Sequence, residues 1–272
     1  MNYPNYKKQY LFCVLSLKTS LFCFIALFCL ACSQTEIKQV DKQKTPFAHI
    51  TDNSVRTILQ KSIAKHGGLD TWQAKKKLSY SKDFSLLKEN GELEKKFQQK
   101  HSYEYKPLKI TINSTENGQV IQTVLKNGTY SRTQDGKVLD LPKNKLQKAV
   151  NTSLYVIGIP FKLLDEGAKI THIGVDTVLN KAADVLEVRY DTKQYVNHSS
   201  NDIWRYYFDQ TDGTVLANWV QTDDHANLVE NLTFEKVGGI LFNKQRKSWR
   251  LDSLGNKAYL RADYLYDNFD LE

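Results

Sequence analysis

Five Asx-Gly pairs punctuate this chain: Asn90-Gly91, Asn117-Gly118, Asn127-Gly128, Asp135-Gly136 and Asp212-Gly213. Each lies between β-prone runs such as "KITINST", "QVIQTVL" and "GTYSR". Asn, Asp and Gly enter the positive φ angles of a tight hairpin turn at little cost. Hairpin after hairpin predicts an antiparallel sheet. The strands between the turns alternate. "VLEVRY" sets Leu186, Val188 and Tyr190 on one face and Glu187 and Arg189 on the other; "IWRYYF" sets Trp204, Tyr206 and Phe208 against Arg205 and Tyr207. "TVLANWV" and "LVENLTF" continue the pattern, and no solenoid repeat recurs.

Two segments break this meander with helical spacing. Val55, Ile58, Leu59, Ser62 and Ile63 share one face of a helix that Asp52 or Ser54 can cap and Gly67 can end. His66 is read as closing that helix and packing on Trp72 rather than as a base or ligand. After Leu141-Pro142, Leu146, Val150, Leu154 and Ile157 again follow helical spacing, until Gly158 and Pro160 stop it. "FKLL" could add a further turn. The fold class expected is therefore mainly β with helices (α+β).

All four cysteines fall within the first 32 residues. Lys7, Lys8 and Lys18 precede an apolar run, Leu21–Leu30, and Ala31 stands just before Cys32. A charged start, an apolar centre and a small residue at the cut make a secretory signal. A spanning helix needs about 20 apolar residues, and Lys18, Thr19 and Ser20 interrupt the run that would reach it; an uncleaved anchor is the alternative. The cut site resembles the lipobox of bacterial lipoproteins, with Cys29 where leucine is usual. On that reading residues 1–32 end at a lipidated Cys32, residues 33–50 form a polar flexible tether, and residues 51–272 form a single domain. Cleavage and acylation would leave no free thiol, disulfide or cysteine metal ligand.

The formal charge is +8. Removing the three signal lysines leaves a mild excess of +5, which in an exported chain suits anionic headgroups or glycans sooner than nucleic acid. With one methionine, the initiator, a Met-rich groove is excluded.

The lipobox, amphipathic first helix, long meander and single helical insert resemble the superfamily of outer-membrane lipoprotein carriers and receptors, the Lol (LolA/LolB-like) proteins. The segment that carries most of this is "WRYYFDQTDGTVLANWVQTDDHANLVENLTFEKVGGILF". "HGGLDTW" and "IPFKLLDEG" also look like an uncharacterised family of bacterial lipoproteins with a His-Gly-Gly start. The resemblance implies an antiparallel incomplete β-barrel wrapped around the N-terminal helix and the mid-chain insert, with an apolar concave face that in the carriers holds acyl chains. It implies a cell-envelope location. Ser33, where an inner-membrane retention signal carries Asp, points to the outer membrane, with the leaflet undecided. Fold does not fix function.

The insert helix and "FKLL" would cover the concave face. If that cover is incomplete, the gap accepts a lipid chain at about 0.8 kcal/mol per buried methylene; if it packs fully, the same residues are a core. Leu154, Ile157, Phe161, Leu164, Tyr206, Phe208 and Trp219, chosen by apolar face, are the expected lining. No catalytic, metal or cofactor motif is recognisable. The six histidines lack a shared spacing, "DDH" at 223–225 reads as a turn, and "HSSND" at 198–202 as a polar loop. "NKQRKSWR" at 243–250 reads as a solvated strand face whose lysines deter pairing, with headgroup or sugar binding as the alternative. The leading expectation is a membrane-anchored, non-enzymatic binding or carrier protein for a lipid or acylated ligand. The rivals are an envelope interaction module with a self-filled core and an enzyme acting on envelope glycan or lipid.

Overall fold

The computed structural model describes residues 46–116, 118–190 and 202–272. The signal segment, Cys32, most of the tether, Asn117 and residues 198–201 lie outside the described residues.

Asp52 caps α1 (Asn53–Lys65) by accepting hydrogen bonds from the Ser54 and Val55 amides at 2.8 and 3.3 Å. Val55, Leu59, Ser62 and Ile63 form its buried face. Gly67 ends it at φ +115°, where a Cβ would stand 2.3 Å from the Gly239 carbonyl oxygen. A short α2 (Leu69–Ala74) follows. The chain then runs β1 (Lys77–Leu87), β2 (Leu93–Tyr105), β3 (Leu108–Glu116), β4 (Gln119–Lys126), β5 (Thr129–Gln134) and β6 (Lys137–Val138). After α3 (Lys143–Gly158) and a 3-10 turn at Phe161–Leu164 come β7 (Ala168–Val178), β8 (Lys181–Tyr190) and β9 (Ile203–Asp209). β10 (Val215–Gln221), β11 (Ala226–Val237), β12 (Ile240–Leu251) and β13 (Lys257–Leu271) complete it.

Every described strand pairing is antiparallel, in the order β6-β5-β4-β3-β2-β1-β13-β12-β11-β10-β9-β8-β7. The last strand thus pairs with the first, and β6 and β7 remain as free edges. Hairpin punctuation and alternation predict the antiparallel pairing, and the open, incomplete barrel is the one that the resemblance implies. The topology also dictates the place of the insert. The chain between β6 and β7 must travel from one free edge to the other, so α3 crosses the concave face. Bulges in β7, β10, β11, β12 and β13 bend the sheet around it.

Two buried clusters fill the ends of the hollow. One joins Trp72, Val150, Ile157 and Phe161 to Leu78, Tyr103 and Ile110. The other joins Val55, Leu59 and Leu163 to Leu186, Tyr206 and Phe208. Phe47 packs against both and Ile50 is buried. The packed domain therefore takes in residues 46–50, which polar composition alone assigns to the tether: two apolar side chains suffice to dock a segment whose average is polar.

His66 is buried at the α1 terminus, where its Nδ1–H donates to the Ser62 carbonyl at 2.8 Å. Its own carbonyl accepts from the Leu241 amide at 3.1 Å. Burial pulls its pKa down to about 4, so the ring is neutral and structural. No described helix is long and apolar enough to cross a membrane.

Candidate functional site

The concave face is graded from apolar to polar. Register aligns Leu78, Tyr103, Ile110, Leu125 and Tyr130 in one row across β1–β5. The next row is Tyr80, His101, Ile112, Thr123 and Arg132, and the one beyond is Lys82, Gln99, Ser114 and Ile121. In the middle row Tyr80 stacks on His101, ring centroids 4.7 Å apart, and its hydroxyl lies 3.0 Å from that of Tyr103. His101 Nε2 lies 3.1 Å from Gln99 Oε1, which only accepts, so Nε2 carries the proton. Nδ1 then accepts from the Tyr103 hydroxyl at 3.3 Å. Burial first, and then the Lys82 charge, lower the His101 pKa to about 3.

Between α3 and the strands β8–β13 lies a cavity of about 300 Å3, at the small end of the range of about 300–1,000 Å3 for small-molecule sites. α3 contributes Asn151, Thr152, Tyr155 and Val156. The sheet contributes an aromatic wall of Tyr190, Trp204, Tyr206, Tyr264 and Tyr266, and an apolar one of Val215, Val220 and Val229. Set into these walls are Asn218, Asn231, Arg246 and Ser248. A second cavity of about 270 Å3, on the side of β1–β5, shares Lys82, Thr152, Val156 and Tyr266 with the first. The bulge between Val215 and Ala217 matters here. It allows Val215 to pair with Phe208 and Asn218 with Tyr206, so both face inward despite their odd spacing.

The polar groups are organised. Arg246 is buried, its Nε donating to Asn231 Oδ1 at 2.8 Å and its Nη2 to Asn218 Oδ1 at 2.7 Å. Asn231 in turn donates to the Val215 carbonyl at 2.8 Å. Tyr190 donates to the Tyr155 hydroxyl, which donates to the Lys162 carbonyl at 3.0 Å. Burial raises the phenols of Tyr155, Tyr190 and Tyr206, so all three remain protonated near neutral pH. Tyr266 behaves differently. Burial raises it, but the Lys82 and Arg246 charges and a hydrogen bond with Arg246 outweigh that and hold it below the ordinary phenol value.

Of the residues expected to line a ligand, Tyr206 stands on the cavity wall. Ile157 and Phe161 are buried in the first cluster, with Leu154 packed against it. Phe208 is buried in the second, and Leu164 packs against both. Trp219 pairs with Arg205 and Leu228 on the opposite face of the sheet, the Arg205 guanidinium 4.5 Å from its ring centre. The reading of "NKQRKSWR" as a solvated strand that deters pairing is corrected: β12 is an interior strand, paired with both β11 and β13. Lys244 bonds Glu235 at 2.9 Å, while Arg246 and Ser248 turn into the cavity. The signal for Arg246 was present as alternation within a charged run, and for Lys82 in the Tyr80, Lys82, Phe84 periodicity of β1. Among the described residues no three His, Asp or Glu side chains are grouped to hold a metal.

No curated protein sequence matches the chain significantly. Among solved structures it is similar to a DUF1329 family protein from Desulfovibrio piger, with 9% identity, a TM-score of 0.51, and coverage of 80% of this chain and 93% of that one. That likeness is one of fold alone. A putative outer membrane lipoprotein-sorting protein domain from Vibrio parahaemolyticus aligns at a TM-score of 0.49 with 9% identity, covering 79% of this chain and 91% of that one. A LolA superfamily protein from Nitrosomonas europaea aligns at 0.45 with 9% identity, covering 80% and 93%. The model of a family of unknown function, DUF6503, matches residues 49–254, well over half of the chain, and the protein belongs to that family.

Proposed function

We propose that this protein is an envelope lipoprotein, anchored through an acylated Cys32, that binds a lipid or acylated ligand between α3 and the concave face without chemically altering it. One observation carries the reading: the cavity of about 300 Å3 beneath the helix that bridges the two free edges of the sheet. A covering helix on the surface of an open sheet can shift while the sheet stays paired, since the backbone hydrogen bonds of the strands do not depend on it. A ligand would enter by displacement of α3. The apolar walls would take a chain, each buried methylene contributing about 0.8 kcal/mol.

The location rests on the charged start, the apolar run and Ala31-Cys32, with residues 33–45 as the spacer from the bilayer. Native mass spectrometry of the protein isolated from membranes tests the binding role, with a retained hydrophobic ligand as the expected result. Protein that carries none, and takes up none from membrane extract, fails the proposal. Metabolic labelling with an alkyne fatty acid tests the anchor, with labelling expected in the parent chain and lost in Cys32→Ser.

The rival reading, an interaction module with a self-filled core, is favoured by one feature. Phe161, Ile157 and Phe208 are consumed by the buried clusters on either side of the cavity.

A further inference from the structure

Given the binding role proposed above, on which this step rests, we infer that the ligand is an amphiphile with an anionic head, and that Arg246 and Lys82 receive that head. Arg246 is 6% exposed and lines the cavity. A guanidinium has five N–H donors; two bonds here go to the neutral amides Asn231 and Asn218, and a further one to the Tyr266 phenol. Among the described residues no carboxylate lies within ion-pair distance of it. Burying a cation without a counter-charge is costly, and buried charges are ordinarily paired. Two asparagines and a phenol orient this fork without supplying a carboxylate, which is the arrangement a carboxylate or phosphate would complete through two parallel hydrogen bonds.

Lys82 supplies a second cation on the same wall. Its ammonium lies 4.6 Å from the centre of the Phe84 ring, 5.3 Å from Tyr264 and 5.7 Å from Tyr266. It too has no carboxylate within ion-pair distance among the described residues. Register places Lys82 opposite Tyr266, and Arg246 opposite Tyr264. The two cations therefore flank one pair of inward tyrosines on β13 from either side. Their charges, with a hydrogen bond from Arg246, hold the Tyr266 phenol below its ordinary value despite its burial. Asn227 and Asn243 also line the cavity, with buried Oδ1 atoms that lack a hydrogen-bond partner in the described structure; as acceptors they call for a donor such as a hydroxyl or water beside the head, not for the anion itself. The valines and Trp204 on the remaining wall suit the tail of such a ligand.

The test uses the full-length protein held in a nonionic amphipol, titrated calorimetrically with dodecanoate, dodecyl phosphate and dodecanol. The anions are expected to bind at least tenfold more tightly than the alcohol. The tighter of the two anions identifies a carboxylate or a phosphate as the preferred head. Arg246→Gln should bring both anions down to the affinity of the alcohol. Lys82→Met, at a less buried position, should weaken them severalfold, and it keeps the test available if Arg246→Gln does not fold. Equal binding of all three compounds by the parent protein, or a preference for anions that survives both substitutions, overturns the inference and leaves the binding role standing. Binding of none of the three sinks the binding role itself and this inference with it.

Discussion

The ring of Phe161 lies flat on Trp72, centroids 4.5 Å apart and planes within 4°. The contact joins the 3-10 turn after α3 to α2, and so brings together "HGGLDTW" and "IPFKLLDEG", segments about 90 residues apart in sequence. Gly158 completes the seat, since a Cβ there would sit 3.4 Å from the Trp72 ring and 2.4 Å from Lys162 Cγ. Phe161→Ala should destabilise the protein by about 3–5 kcal/mol through lost burial and a cavity. Trp72→Ala should cost a similar amount, and the double variant less than the sum, because both delete the same stack. Urea unfolding of the three variants measures this. Additive losses would show that the stack is not a coupled unit.

The contact of Gly67 with Gly239 makes a second prediction, with an internal control. Gly67 and Gly68 both have positive φ, at +115° and +86°. A Cβ at Gly67 meets the Gly239 carbonyl at 2.3 Å, whereas a Cβ at Gly68 meets nothing within 4 Å. Gly68→Ala should cost only the backbone strain, about 1–2 kcal/mol. Gly67→Ala should cost clearly more, because the β11–β12 turn must also move. Equal losses of thermal stability in the two variants would contradict the close approach.

Acid should destabilise the fold through its buried imidazoles. His66 and His101 have folded-state pKa values lowered to about 4 and about 3, chiefly by burial, below the ordinary 6.5. The unfolded chain therefore binds more protons than the folded one between those values. The stability tied to neutral His66 is complete above about pH 6.5 and is lost as pH falls toward 4, a change on the order of 3 kcal/mol. His66→Asn keeps a donor near the Ser62 carbonyl but cannot titrate. Its stability should fall less steeply with acid, by about one proton, in denaturation curves taken from pH 7 to pH 4.

Lys75 makes the same demand in a higher pH window. Its ammonium lies 3.4 Å from the Trp72 ring centre and 4.0 Å from that of Tyr105, and donates to the Trp72 carbonyl at 2.6 Å. Burial, and then the charges of Lys162 and Lys106, lower its pKa to about 7. The unfolded chain holds this proton up to about pH 10.5, so the contribution of Lys75 to stability should rise between pH 7 and pH 10.5. Lys75→Met should flatten that part of the profile. Trp72 emission should shift with a midpoint near pH 7 in the parent protein and not in the variant. A parent chain with no such titration would contradict the buried position of the ammonium.

Local chemistry made much of this architecture readable in advance. Asn127-Gly128 and Asp135-Gly136 take positive φ at both residues, as tight hairpins require. The α1 face, the capping Asp52, the extent of α3 and the 3-10 turn at "FKLL" all follow from spacing and stop residues. The turn at Leu179-Asn180, with φ of +51° and +60°, was not legible, because leucine carries no turn preference and the hairpin of β7 and β8 imposes the geometry. The side chains around the cavity were less readable still. An apolar-face argument selects Phe161, Ile157 and Phe208, which the core absorbs, and passes over Arg246, Asn218 and Tyr266.

What the chain determines by itself is local: turn positions, strand alternation, helix limits and hence an antiparallel sheet with one crossing helix. Those depend on φ preferences and on periods of two and 3.6 residues, which act over a few neighbours. The tertiary structure alone decided which inward positions close into solid core and which surround a cavity. That outcome depends on how α3 settles between two free edges and on bulges that reverse facing along β10 and β11. Arg246 became a buried cation without a carboxylate for the same reason: its partners lie 15 and 28 residues away, and the pairing of β10, β11 and β12 in register brings them together.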